Sequence, residues 1–248
     1  MGPGVRDGAA DGALREAHRG ARFAGGAGGR EHARALRLPA GARWRLRWRR
    51  VRTLQEPPPR PGRSDEAQEE DEESPRVIVC LDVDYRDTET VTACVGMSAW
   101  SDPAAAFERT RTVLEAPQPY EPGHFYLREM PHLLAMLDEV VGVQGPITRV
   151  VVDGYVWLAT GRPGLGAHLH AAMAAGAGAV PVVGVAKTAF RDNDRAIAVT
   201  RGQSTRPLYV TAIGCDESEA ARNVASMHGA HRLPTLLARV DRLARGDV

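Results

Sequence analysis

From Arg76 onward the apolar positions follow two rhythms, and each rhythm predicts an element. Arg76-Val77-Ile78-Val79-Cys80-Leu81-Asp82 is apolar on both faces, which predicts a central strand covered on both sides. Thr88–Ala99 predicts a second strand and Phe107–Leu114 a weaker third, and the three fit an antiparallel meander. Leu133, Leu134, Leu137, Val140 and Val141 then recur at helical spacing. They predict a helix from about Gly123 to Val141, with Pro131 in its first turn or at a kink. A strand Ile147–Asp153, a helix Leu165–Ala175 and a strand Val180–Ala186 follow. An Arg-bearing loop or hairpin leads to Arg206, then a strand Leu208–Ile213, a helix from about Glu217 to His228 and a last helix Pro234–Ala244. This order predicts an α/β fold, a mixed β-sheet with helices on its faces.

The first 75 residues show neither rhythm. Glycine pairs, the triple proline Pro57–Pro59 and the acidic block Asp65–Glu73 predict a low-complexity, disordered extension over 1–75, ahead of a folded domain over 76–248. Charge separates the same regions. Residues 1–55 carry a net +9, 56–75 a net −6 and 76–248 a net −2, within a total of +1. A folded part without basic excess excludes a protein that coats nucleic acid by charge alone. Arg43–Arg50 alternates cations with apolar residues, including Trp44 and Trp48. It reads as a solvated tail ahead of a nucleic-acid-binding arm.

Cys80, Cys94 and Cys215 form no CxxC pair, which argues against a zinc ribbon or a disulfide scaffold. No run reaches the ~18 consecutive apolar residues of a membrane span. The expectation is a cytoplasmic, membrane-free monomer.

Candidate chemistry gathers where apolar runs stop. Val77–Leu81 ends in Asp82, Val150–Val152 in Asp153-Gly154, Val180–Ala186 in Lys187, and Leu208–Ile213 in Gly214-Cys215-Asp216. Ligands of α/β sheets collect outside the carboxyl ends of strands. Glu129 shares a helix face with Leu133 and Leu137, an expensive place for an unpaired carboxylate. A bond to Arg128 or to an Arg from the sheet would explain it structurally, and convergence with Asp82 and Asp153 on a divalent cation would explain it functionally. All-oxygen donors suit Mg²⁺, with Mn²⁺ as substitute, rather than Zn²⁺. Such a centre serves phosphodiester hydrolysis, and Lys187, the one lysine beside 31 arginines, would neutralise a phosphate oxygen. Asp216 fits a capping box with Glu219 first and a fourth ligand second. His168 lies on the Leu165/Leu169 face and reads as a buried, hydrogen-bonded core histidine. Cys215 reads as a small core or rim residue.

Residues 76–248 resemble the endonuclease V family. The resemblance rests on Leu81-Asp82-Val83, Pro119-Tyr120-Glu121-Pro122-Gly123 with Arg128-Glu129-Met130-Pro131, and Val151-Val152-Asp153-Gly154. It continues through Gly164–Leu169, Val182–Lys187, Pro207–Val210 and His231-Arg232-Leu233-Pro234. It implies an RNase H-like fold and cleavage 3′ to deoxyinosine or inosine in DNA or RNA, in DNA repair. It further implies Mg²⁺ at Asp82, Glu129 and Asp153, phosphate contact by Lys187, and a strand-entering wedge that includes Tyr120 and Pro122. The chain departs from the family after Asp153-Gly154. The usual Gly- and His-bearing run is Tyr155-Val156-Trp157-Leu158-Ala159-Thr160, so Gly154 and Tyr155 mark an altered base pocket. The family's usual His after the last strand's Gly is Cys215. Two alternatives stay open: an RNase H-like metallonuclease with another nucleic-acid substrate, and a catalytically degenerate nucleic-acid-binding protein.

Overall fold

The computed structural model describes residues 77–114, 125–177 and 180–247. The expectations for residues 1–75 and for Tyr120 and Pro122 lie outside these. Nine strands and four helices are described: β1 Val77–Tyr85, β2 Thr90–Met97, β3 Phe107–Val113, α1 Phe125–Gln144, β4 Ile147–Asp153, β5 Trp157–Ala159, β6 Arg162–Pro163, α2 Leu165–Ala177, β7 Val182–Ala186, β8 Ile197–Val199, β9 Leu208–Ile213, α3 Glu217–Ser226 and α4 Thr235–Arg245. Seven strands form one mixed sheet in the order β3-β2-β1-β4-β7-β9-β8, and β5 and β6 form a small separate hairpin. This is the RNase H-like mixed sheet with helices on its faces.

The expected meander is present: β1 pairs antiparallel with β2, and β2 with β3. β1, β4 and β7 run parallel at the centre. Strand alternation divides the core in two. Ile78, Cys80, Val151, Val183 and Val185 face one side, where Val224 of α3 and Leu236, Leu237 and Val240 of α4 cover them. Val79, Leu81, Val150, Val152 and Val182 face the other, under Met130, Leu133 and Leu137 of α1 and Leu165, Leu169 and Met173 of α2.

β9 runs against the central strands, a direction the apolar pattern leaves open. It pairs antiparallel with β7, Val182 opposite Ile213 and Ala186 opposite Tyr209. The link between them holds only β8, which pairs antiparallel with β9. A helix-length crossover, which a parallel neighbour needs, is missing. Pro131 lies in the second turn of α1, not the first. It withholds the N–H that Leu127 O would accept, and Leu127 is exposed, so water can serve that carbonyl.

α4 is anchored at its middle and at its C-terminal end. Arg239 grips Glu108 of β3 with two bonds of 2.8 Å. Arg86, just past β1, donates to Ala244 O at 3.2 Å. Gly246 ends the helix with φ 75°, and Gly246 and Asp247 return their N–H groups to Leu243 O and Arg242 O. That left-handed cap favours glycine.

Candidate functional site

Strand register brings the first two acids together. Leu81 pairs with Val152 across β1 and β4, so Asp82 and Asp153 are the next residues on adjacent parallel strands. By alternation both lie on the face that α4 covers, as does Lys187 just beyond β7. α4 contributes Asp241. One carboxylate oxygen from each of Asp82, Asp153 and Asp241 lies within 4.8 Å of the others. Lys187 Nζ donates to Asp153 Oδ2 at 2.7 Å and to Asp241 Oδ1 at 2.8 Å. Arg245 also donates to Asp241 Oδ1, at 2.7 Å.

Glu129 approaches from α1 on the opposite face of the sheet. It is 7% exposed and lines a small cavity with Asp82, Asp153, Leu133 and Leu165. A second cavity, on the α4 side, is lined by Asp82, Asp153, Lys187, Leu237 and Asp241. The two cavities share Asp82 and Asp153. Asp82, Asp153 and Asp241 form a carboxylate group within 4.8 Å, and Glu129 borders Asp82 and Asp153 from the α1 side, so Asp241 adds an acid to the expected three. By alternation Asp82 of β1 and Asp153 of β4 incline toward α4, and both still border the cavity that Glu129 lines from α1. Arg128 stacks over the Tyr85 ring at 3.6 Å, and its charge opposes the rise at Glu129.

The electrostatics are strained by design of the packing. Burial, then the neighbouring Asp153, pushes the Asp82 carboxyl up to about 7, although Lys187 and the Val83 N–H oppose this. Burial, then Asp82 and Asp153, holds Glu129 well above the usual carboxylate range. Burial alone would lower Lys187, yet Asp153 and Asp241 outweigh it and keep the ammonium above its ordinary value. Four carboxylates face the Lys187 ammonium and the guanidinium groups of Arg245 and Arg128, and the burial that raises Asp82 and Glu129 is the kind of strain a divalent cation relieves. The donors are all oxygen, which fits Mg²⁺ or Mn²⁺.

Asp216 stands elsewhere. It caps α3, accepting from Glu219 N at 2.7 Å. Because β9 runs antiparallel to β7, its C-terminal end lies beside Val182, at the far end of the sheet from Lys187. Asp216 is thus a cap and not a fourth acid, and half-buried Cys215 shares its remote position. His168 is half-buried rather than fully buried, and stacks on Tyr126 with ring centroids 3.6 Å apart. Gly154 adopts φ 134°, and Tyr155 bonds to the segment that follows Lys187.

Asp241 was not identified from the sequence, although its signal was present. It sits four residues after Leu237 and three before Ala244, both buried, so it lies on the apolar stripe of its helix as Glu129 does on α1.

Asp82 and Asp153 on adjacent central strands, with Asp241 of α4, form a carboxylate group that could hold a metal ion. The Endonuclease V family profile matches residues 63–215, more than half of the chain. The chain belongs to the endonuclease V family and is a nuclease. The endonuclease V of Ignicoccus hospitalis is 29% identical over 192 residues, spanning 71% of this chain and 84% of that protein. Among solved structures, endonuclease V from Ciona intestinalis, bound to a 23mer DNA containing an inosine followed by a ribo-adenosine, superposes with a TM-score of 0.60 at 16% identity, covering 69% of this chain and 85% of that one. Human endonuclease V gives 0.56 at 20% identity, covering 69% and 83%. The Streptomyces avermitilis endonuclease V gives 0.54 at 25% identity, covering 70% and 81%. The described helices include none long and apolar enough to cross a membrane.

Proposed function

We propose that this chain is a divalent-metal-dependent endonuclease that cuts nucleic acid on the 3′ side of deaminated purines, deoxyinosine in DNA or inosine in RNA, in DNA repair. The observation that carries the proposal is the Asp82–Asp153–Asp241 group, within 4.8 Å, with Lys187 on its rim. Family membership and the inosine-bearing DNA in the Ciona complex support the substrate class.

Asp82 and Asp153, shared by both cavities, would hold Mg²⁺ or Mn²⁺, with Asp241 on one flank and Glu129 on the other. When bound, the cation supplies Lewis-acid stabilisation and an activated water for in-line attack. The chain's own residues do the rest. Glu129, whose carboxyl burial and the neighbouring Asp82 and Asp153 hold well above the usual carboxylate range, faces its cavity and can orient water there. Lys187 offers an ammonium to the phosphate oxygen whose charge grows in the transition state. Leu133 and Leu165 narrow the cavity around Glu129, and Leu233 and Leu237 the one beside Asp241, limiting bulk water. Extrusion of the target base would cost least where it is mispaired.

The test is a nicking assay of the full chain with Mg²⁺ or Mn²⁺. Labelled single- and double-stranded DNA and single-stranded RNA are compared with and without one inosine, beside Asp153→Asn. A metal-dependent nick on the 3′ side of inosine, lost in the variant, supports the proposal. Metal-dependent cutting indifferent to inosine would retain the nuclease and reject the substrate. Binding without cutting by the folded protein would favour a degenerate nucleic-acid-binding protein.

A further inference from the structure

Two segments leave the candidate centre: residues 154–164 after Asp153, and residues 188–196 after Lys187. Side chains lace them together. The Tyr155 hydroxyl donates to Thr188 O at 2.7 Å and accepts from Phe190 N at 3.0 Å. Its ring meets Phe190 edge-on, with centroids 6.1 Å apart. Farther out, Asn193 donates to Trp157 O at 2.8 Å, and Thr160 N donates to Asp194 at 2.7 Å. Of these ties, the Tyr155 hydroxyl lies nearest the centre along both segments. It is two residues past Asp153, and its partners are one and three residues past Lys187.

The two sides of the tie differ in rigidity. On the Tyr155 side the backbone is held: Gly166 N donates to Tyr155 O at 3.1 Å, and Val156 N donates to Thr211 Oγ1 of β9 at 2.8 Å. On the other side Arg232 donates to Lys187 O, but beyond it the segment is exposed at Thr188 and at the side chains of Arg191 and Asp192, which are 94% and 91% exposed. A phenol on a stiff ring, with one donor and acceptor lone pairs, can serve both a carbonyl and an N–H. The held side therefore orders the open one.

We infer that Tyr155 is a positioning residue, whose hydroxyl fixes the segment following Lys187 to the segment following Asp153 and so keeps the ammonium in register with the carboxylate. Its importance to the reaction rests on the proposed roles of Asp153 and Lys187, whereas the tie itself does not. On this account the Tyr at the altered base pocket commits its polar group to joining two segments rather than to reading a base.

The single lysine makes the test clean. Protein grown on lysine labelled at Cε and Nζ gives one side-chain resonance, that of Lys187. Full-length wild type, Tyr155→Phe and Asn193→Ala are compared by this signal, by thermal midpoint and by kinetics on a single-inosine strand. Tyr155→Phe deletes one oxygen and frees Thr188 O and Phe190 N, and the thermal midpoint reports whether the fold is kept. The expected result is a displaced Lys187 signal with ammonium protons that exchange several-fold faster. Turnover falls about tenfold with KM within about twofold, because the loss is one of orientation. Asn193→Ala, which cuts only a distal tie, leaves the Lys187 signal in place. An unchanged Lys187 signal in folded Tyr155→Phe overturns the inference, as does an equal displacement in Asn193→Ala. A displaced signal in protein that cuts no substrate upholds the tie and rejects the nuclease reading instead.

Discussion

Asp82 and Asp153 follow directly on the paired residues Leu81 and Val152 of adjacent parallel strands, so the sheet itself presses two carboxylates together. Burial and this neighbour raise the Asp82 carboxyl to about 7. In the unfolded chain it titrates near ~4. Native protein therefore binds the extra proton between those values. The associated stability is complete below the unfolded value and is lost as pH rises through about 7. Metal-free protein is expected to melt lower at about pH 8 than at about pH 5, and Mg²⁺ to raise the melting temperature more at the higher pH. Asp82→Asn should flatten this dependence and, at about pH 8 without metal, raise the melting temperature by about 2–4 °C. A flat profile for the wild type in differential scanning calorimetry would contradict the coupling.

Asp241 and Asp216 make opposite predictions. Asp241→Asn removes a carboxylate from the centre and should weaken Mn²⁺ binding by at least about tenfold in calorimetric titration. Asp216→Ala removes only the cap of α3. It should cost about 1 kcal/mol of stability and leave Mn²⁺ affinity unchanged. Equal affinities in the two variants would remove Asp241 from the centre.

Gly184 on β7 lies beneath the turn after Asp153. A Cβ there would stand 2.6 Å from Gly154 O and 2.7 Å from Val156 N, both backbone atoms that cannot swing aside. Gly184→Ala should destabilise by about 1–3 kcal/mol in urea unfolding. It should also reduce turnover more than a distant change of equal cost, because Asp153 must move with Gly154. Wild-type turnover would show that the turn yields without disturbing the acid.

Lys187 bridges Asp153 and Asp241, whose oxygens would also serve a cation, so ammonium and metal compete. Lys187→Met is expected to bind Mn²⁺ several-fold more tightly than wild type while losing nicking activity. Weaker binding in the variant would mean that the lysine supports the metal rather than yielding to it.

The parts of the site that read directly from the sequence share one property: a polar residue that interrupts an apolar pattern. Asp82, Asp153 and Lys187 end buried runs, and Glu129 interrupts a helical stripe. Asp241 has the same property, but α4 has the alternating look of a surface helix, and Asp241 is flanked by Arg239 and Arg242. Strand direction is what local pattern conceals. The apolar run of β9 is the same for either direction, and only the helix-free link through β8 settles it. That ambiguity placed Asp216 with the other acids. The ties from Tyr155, Asn193 and Asp194 join residues more than thirty positions apart, beyond any local periodicity.

The most direct test of the metal centre is a crystal grown with Mn²⁺ and viewed by anomalous scattering. The account predicts density among the carboxylates of Asp82, Asp153 and Asp241, with Lys187 Nζ withdrawn from Asp153 and Asp241. It predicts none there in Asp153→Asn. Crystals of folded wild type that hold Mn²⁺ elsewhere, with the Lys187 bridge intact, would contradict it.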